Sequence, residues 1–167
     1  MITTIALDLD NTLLTSEKTI SPRNEKVLKQ LHTNGIRVVL CTGRPIKAIQ
    51  PLLNQLGLME TTDYSITFNG GLVQQNATGD ILARTSLSKA DIAPLHAYAQ
   101  KLGIPLDAID LTQVFSLVDL GKSEYEAFLK GLMPFSDVTF AELPADDKFG
   151  KLSLIHISEP TRRSYIS

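Results

Sequence analysis

Two aspartates one residue apart, in Asp8-Leu9-Asp10-Asn11-Thr12, are the pair in this chain best suited to chemistry. They close an apolar run, Ile2 to Leu9, that reads as a buried strand. Residues two apart on a strand point the same way, so Asp8 and the Asp10 region converge on one pocket at the carboxyl edge of a sheet. Open α/β sheets bind ligands at that edge. Two carboxylates about 4 Å apart repel by roughly 4 kcal/mol at an effective dielectric of 20. A cation must share such a site, and a hard, oxygen-ligated ion such as Mg2+ is the natural one. Taken alone, the pair fits a strand-end turn equally well.

Its company decides the matter. A second apolar run, Ile36 to Cys41, ends in Thr42-Gly43-Arg44-Pro45. A hydroxyl, a glycine that lets backbone approach a ligand and a helix N-terminus together make a phosphate seat. The plainer alternative is that Thr42 caps the helix and Gly43 turns the chain. A third run, Tyr64 to Phe68, ends in Asn69-Gly70-Gly71, a polar close-approach loop or a simple hairpin turn. Three successive strands with site-like ends on one edge are hard to obtain by accident. Gly121-Lys122-Ser123 has the ending of a P-loop, but Ser116 stands where the first glycine belongs.

The elements that must hold these loops alternate strand and helix. Ser21-Pro22 opens a helix, Val27, Leu28 and Leu31 give its apolar stripe, and Gly35 closes it. Pro45 opens the next, with a stripe at Ile46, Ile49, Leu53 and Leu56 and Gly57 as its stop; Pro51 should kink it. This order predicts a parallel sheet with right-handed crossovers. Beyond Gly71 the pattern changes. Leu72 to Gln75 and Asp80 to Ser86 flank a turn at Asn76-Ala77-Thr78-Gly79. Ser88 and Asp91 form a capping box ahead of Ile92, Leu95, Ala99 and Leu102. Strands near Pro105 to Ile109 and Val114 to Val118, a helix over Lys122 to Met133 and a strand near Val138 to Glu142 complete a second, α+β unit. The predicted division falls near Ala83 to Ser86, giving units over residues 1–85 and 86–151.

Composition sets the frame. With 43% hydrophobic and 20% charged residues over 167 positions, the chain reads as globular. A net charge of −2 gives no general attraction to nucleic acid or anionic membrane, so a phosphate must be held locally. No apolar run reaches the ~20 residues that span a bilayer. Asp8 and Asp10 interrupt the N-terminal apolar stretch, which has no basic lead-in, so an ordinary secretory signal is not expected. The single cysteine, Cys41, reads as a buried small hydrophobe and suits a cytoplasmic setting.

Asp8-Leu9-Asp10-Asn11-Thr12 with Thr42-Gly43-Arg44-Pro45 resembles the first two motifs of the haloacid-dehalogenase superfamily. The stretch Asp63 to Gln74 narrows the resemblance to its Cof-type, YidA-like sugar phosphatases. The likeness covers residues 1–151 and is most specific in the first third. It implies a Rossmann-like parallel-sheet core, front half only, with an inserted and incomplete α+β cap that closes over the substrate. It further implies an Mg2+-dependent hydrolase acting on sugar phosphates or similar small phosphate monoesters. Asp8 would be the nucleophile and Asp10 the general acid and base. The Asp8 carboxylate and the Asp10 main-chain carbonyl would ligate Mg2+. Thr42 with the Leu9 and Gly43 amides would hold the phosphoryl group, Arg44 would belong to the same seat, and Asn69 and Gly70 would border the substrate. Asn11 departs from the glycine common in relatives, but asparagine tolerates a left-handed backbone. A signalling receiver domain also clusters acids on a parallel sheet. It wants its phosphorylated aspartate at the end of the third strand, where this chain has Asn69.

Two further features that the resemblance calls for are not found: a lysine balancing the phosphoryl charge and a later Gly-Asp…Asp metal loop. Lys148 and Lys151 fall in the cap region, and Asp146-Asp147 reads as a solvated loop. The stretch Leu152 to Arg162 resembles the translation of a transposon-based sequencing adapter, which marks residues 152–167 as a non-native read-through tail and removes His156 from consideration. The expectation is a truncated chain that is poorly soluble, with its first strand exposed as a sheet edge, and catalytically dead as written.

Overall fold

The computed structural model describes residues 2–154 apart from Lys130 and Asp147. Most of the expected tail, and His156 with it, lies outside the described residues. The first strand, β1 (Thr4–Asp8), is followed by a tight turn over Leu9–Leu13 that the Leu14 N–H closes onto the Leu9 carbonyl at 2.9 Å. Helix α1 (Pro22–Thr33) starts as expected, the Ser21 hydroxyl accepting from the Asn24 N–H. Then come β2 (Arg37–Cys41), α2 (Ile46–Leu56) and β3 (Tyr64–Thr67). The hairpin β4 (Leu72–Gln75) and β5 (Ile81–Arg84) forms around the anticipated turn.

These strands make one sheet in the order β1-β2-β3-β4-β5. β1, β2 and β3 run parallel, with Asp8 opposite Cys41 and Cys41 opposite Ile66, so all three carboxyl ends share an edge. β4 and β5 are antiparallel additions. The α2 stripe is buried at all four positions, each residue contributing roughly 1.5–3 kcal/mol. That helix is continuous across Pro51, with Ile49, Leu53 and Leu56 buried on either side of it. The α1 stripe is narrower than read. Leu28 is buried, but Val27 is exposed and lines an open cleft.

The second sheet has the order β8-β7-β6-β9, from β6 (Asp107–Ile109), β7 (Val114–Leu117), β8 (Phe135–Val138) and β9 (Lys151–Ser153). Its helices are α3 (Lys89–Leu102), with the Ser88–Asp91 capping box in place, and α4 (Tyr125–Leu129). Alternation sends Ala108 and Phe115 into a core with Ile92, Ala99 and Phe149. Ile109 and Val114 join Tyr125, Leu129 and the residues of the first sheet.

Three expectations here are corrected. Leu95 and Leu102 of α3 are exposed, because this face of the helix covers the sheet only at Ile92 and Ala99. α4 spans five residues rather than twelve, and Gly131, in a left-handed conformation, lies just beyond it. The strand expected near Val138 to Glu142 is β8, which lies earlier and ends at Val138. The Thr139 amide and hydroxyl instead bond the Glu142 carboxylate in a turn. Leu152 and Ser153, the first two residues of the expected tail, pair in register with Ala108 and Asp107.

Candidate active site

Asp8 ends β1 with its carboxylate exposed, where Oδ2 accepts from the Thr12 hydroxyl at 2.9 Å. Among the described residues it forms no ion pair. The turn that follows bends away through Asn11, at φ 62, the left-handed conformation that asparagine tolerates.

Asp10 is placed quite differently. Arg44 grips it at both oxygens, Nε on Oδ2 at 2.9 Å and Nη2 on Oδ1 at 2.7 Å, and Lys18 adds a contact at 2.8 Å. The Arg44 guanidinium, helped by Lys18 and opposed by partial burial, holds the Asp10 carboxyl down at about 2. Protein cations therefore neutralise Asp10, whereas Asp8 forms no ion pair among the described residues. Arg44, expected in the phosphate seat, here has its fork on the Asp10 carboxylate.

Thr42 is buried, and its hydroxyl accepts from the Arg44 N–H at 3.1 Å. That is the plain turn-forming role, yet it also fixes the hydroxyl at the sheet edge. The Asn69 N–H donates to the Thr42 carbonyl at 3.1 Å and the Phe68 N–H to the Arg44 carbonyl at 3.3 Å, so the third strand end clamps the second. A Cβ on Gly43 would sit 2.4 Å from the Asn69 Oδ1, so glycine is what admits the asparagine. Phe68, Asn69 and Gly70 have φ of 53, 57 and 91. Three left-handed residues in a row are costly, above all at the buried phenylalanine. Asn69 and Gly70 line an open cleft of about 380 Å3 whose opposite wall includes Leu87, Phe149 and Gly150.

One residue that the sequence reading set aside also arrives here. Lys151, on β9, donates to the Gly43 carbonyl at 3.2 Å and lies over the Tyr125 ring, 5.7 Å from its centroid. Nothing in its local sequence separates it from Lys148; only the β6–β9 pairing aims it. Asp63, by contrast, precedes β3 at the other edge. It accepts from the Glu60 N–H and pairs with His32 at 2.8 Å, a loop clamp remote from the site.

The model of the haloacid dehalogenase-like hydrolases matches residues 5–154. The chain belongs to that family. Within it, YxeH of Bacillus subtilis is 34% identical over 112 residues, covering 67% of this chain and 42% of that protein. The HMP-PP phosphatase of Serratia proteamaculans is 42% identical over 88 residues, 53% of this chain and 30% of that protein. A crystal structure of a haloacid dehalogenase-like hydrolase from Bacteroides thetaiotaomicron superposes with a TM-score of 0.73 at 26% identity, over 88% of this chain and 56% of that one. This haloacid dehalogenase-like chain thus spans less than half the length of these two curated relatives. Among its described residues no helix is long and apolar enough to cross a membrane.

Proposed function

We propose that the carboxyl edge of the first sheet hydrolyses small phosphate monoesters, sugar phosphates foremost, through an aspartyl-phosphate on Asp8. The observation that carries this reading is the exposed Asp8 carboxylate, free of any ion pair among the described residues, at the edge shared with Thr42–Gly43 and Asn69. A carboxylate oxygen of Asp8 attacks phosphorus, and an O–P bond forms as the ester O–P bond breaks. Asp10 gives its proton to the departing alkoxide. It then takes one from the water that attacks the aspartyl-phosphate and releases inorganic phosphate. The Thr42 hydroxyl and the Leu9 and Gly43 amides hold the phosphoryl oxygens, and Asn69 and Gly70 border the alcohol. The second sheet serves as the cap that excludes water.

The donor set at Asp8 suits Mg2+, since an unpaired, solvent-facing carboxylate supplies the hard oxygen that this ion prefers while it keeps several waters. Bound by the Asp8 carboxylate and the Asp10 main-chain carbonyl, Mg2+ would neutralise charge on the phosphoryl oxygens. To act as an acid, Asp10 must first leave Arg44 and Lys18, because a group held at about 2 is ionised at neutral pH. The same grip favours a second reading, in which the chain binds phosphate without turning it over.

Both readings are tested by assaying the full chain against a panel of phosphate monoesters with Mg2+ and with chelator, beside Asp8→Asn. Mg2+-dependent turnover that Asp8→Asn removes supports hydrolysis. Phosphate-induced thermal stabilisation without turnover supports the binding reading. If neither is seen, both fail.

A further inference from the structure

We propose that Lys151 is the anion-binding side chain that the second sheet lends to the phosphate seat, a step that rests on the phosphatase reading above. Its backbone is held from two sides. The Gly150 N–H donates to the Ile109 carbonyl at 2.8 Å, and Lys151 pairs with Ile109 in the β6–β9 ladder. Gly150 packs so closely on the Phe68 ring that an added Cβ would come within 2.9 Å of it. The strand that carries the lysine is thereby registered against the β3–β4 turn that carries Asn69 and Gly70.

From that base the ammonium reaches a point over the Tyr125 ring, 3.2 Å from the Gly43 carbonyl. An ammonium has three donors, and this contact uses one. Lys151 is half-buried, and among the described residues no carboxylate forms an ion pair with it. Burial lowers its pKa, while the nearby Asp10 charge pulls it back up. Withdrawing a cation from water without a carboxylate in ion-pair contact is costly. A dianionic phosphate beside Gly43 would supply a counter-charge and the missing acceptors. The other cations near Asp10, Arg44 and Lys18, are already committed to it. The ligand class is therefore a phosphate monoester or inorganic phosphate, gripped by core backbone on one side and by Lys151 on the other.

Binding of inorganic phosphate by the full chain, with Mg2+ present, tests this by calorimetry without requiring turnover. Lys151→Met should weaken phosphate by about tenfold or more, with thermal stability in the absence of phosphate little changed, and Lys151→Arg should recover most of the loss. A strut between the sheets would behave otherwise, changing stability and leaving the phosphate Kd alone. Should Lys151→Met fold poorly, Lys151→Gln, which keeps a polar end, is read in its place. Wild-type affinity in the neutral variants overturns the proposal. The phosphatase reading survives that result if turnover still requires Asp8. A wild-type chain that binds no phosphate overturns the proposal as well, and removes the phosphatase reading too if it also shows no turnover.

Discussion

At the residue scale, the bidentate grip of Arg44 on Asp10 makes stability depend on pH. The folded carboxyl titrates at about 2, below its ordinary 3.8. Its contribution is therefore complete above about pH 4 and is lost as pH falls from 4 towards 2. Nearly a third of the Asp10 side chain is open to water, so screening leaves about 1 kcal/mol of the nominal gain. Arg44→Met should cost about 1 kcal/mol at pH 7 and almost nothing at about pH 1.5, as read from urea unfolding at both values. Equal losses at the two pH values would assign the cost to packing. Thr42→Val, which strips the Arg44 N–H of its acceptor, should cost about 1 kcal/mol of stability and weaken phosphate several-fold, as checked by unfolding and calorimetry. The placement of Asp8, Asp10, Thr42 and Gly43 at one sheet edge was legible because each stands at or just beyond a strand end, where period-2 alternation and chain order fix which edge it reaches. The commitment of Arg44 to Asp10 and the arrival of Lys151 were not. The first depends on how a long side chain resolves between two anions, and the second joins residues 108 positions apart.

At the element scale, Gly150 on Phe68 is a tight constraint. The phenylalanine is buried and already in a left-handed backbone, so its ring cannot yield to a methyl group. Gly150→Ala should destabilise by about 1–3 kcal/mol, measured by denaturant unfolding, and should loosen the wall of the cleft at Asn69 and Gly70. Unchanged stability would mean that the ring has another resting place. Helices and strands of the first sheet were readable because capping residues and stops agree with the apolar period: Ser21-Pro22 for α1, and Pro45 and Gly57 for α2. The second sheet was read less well. A repeating apolar face, such as that through Leu95 and Leu102, shows what could be buried but not whether a partner covers it. Thr139 and Glu142 look equally able to extend a strand or close a turn, and only the parallel pairing of Phe135 with Val114 settles which stretch joins the sheet.

At the scale of the whole molecule, β1 is the open flank. Among the described residues it pairs only with β2, leaving the other side of a strand with apolar residues facing away from the sheet's middle. Ile2 beside it is 73% exposed, and an open cleft lined by Leu7, Leu13, Val27 and Leu28 runs along the same flank. Unpaired N–H and C=O groups on an apolar edge recruit a second strand, which a charged side chain on that edge discourages. The chain should therefore self-associate as concentration rises, in sedimentation velocity runs spanning a wide concentration range. Ala6→Lys places a charge at an exposed β1 position distant in role from the acidic site. It should return the chain to monomer with stability changed by no more than about 0.5 kcal/mol. A chain that stays monomeric without the lysine would show the edge to be guarded by its own twist and side chains. Self-association that survives the lysine would move the contact to other exposed apolar residues, Leu95, Tyr98 and Leu102 of α3 first among them.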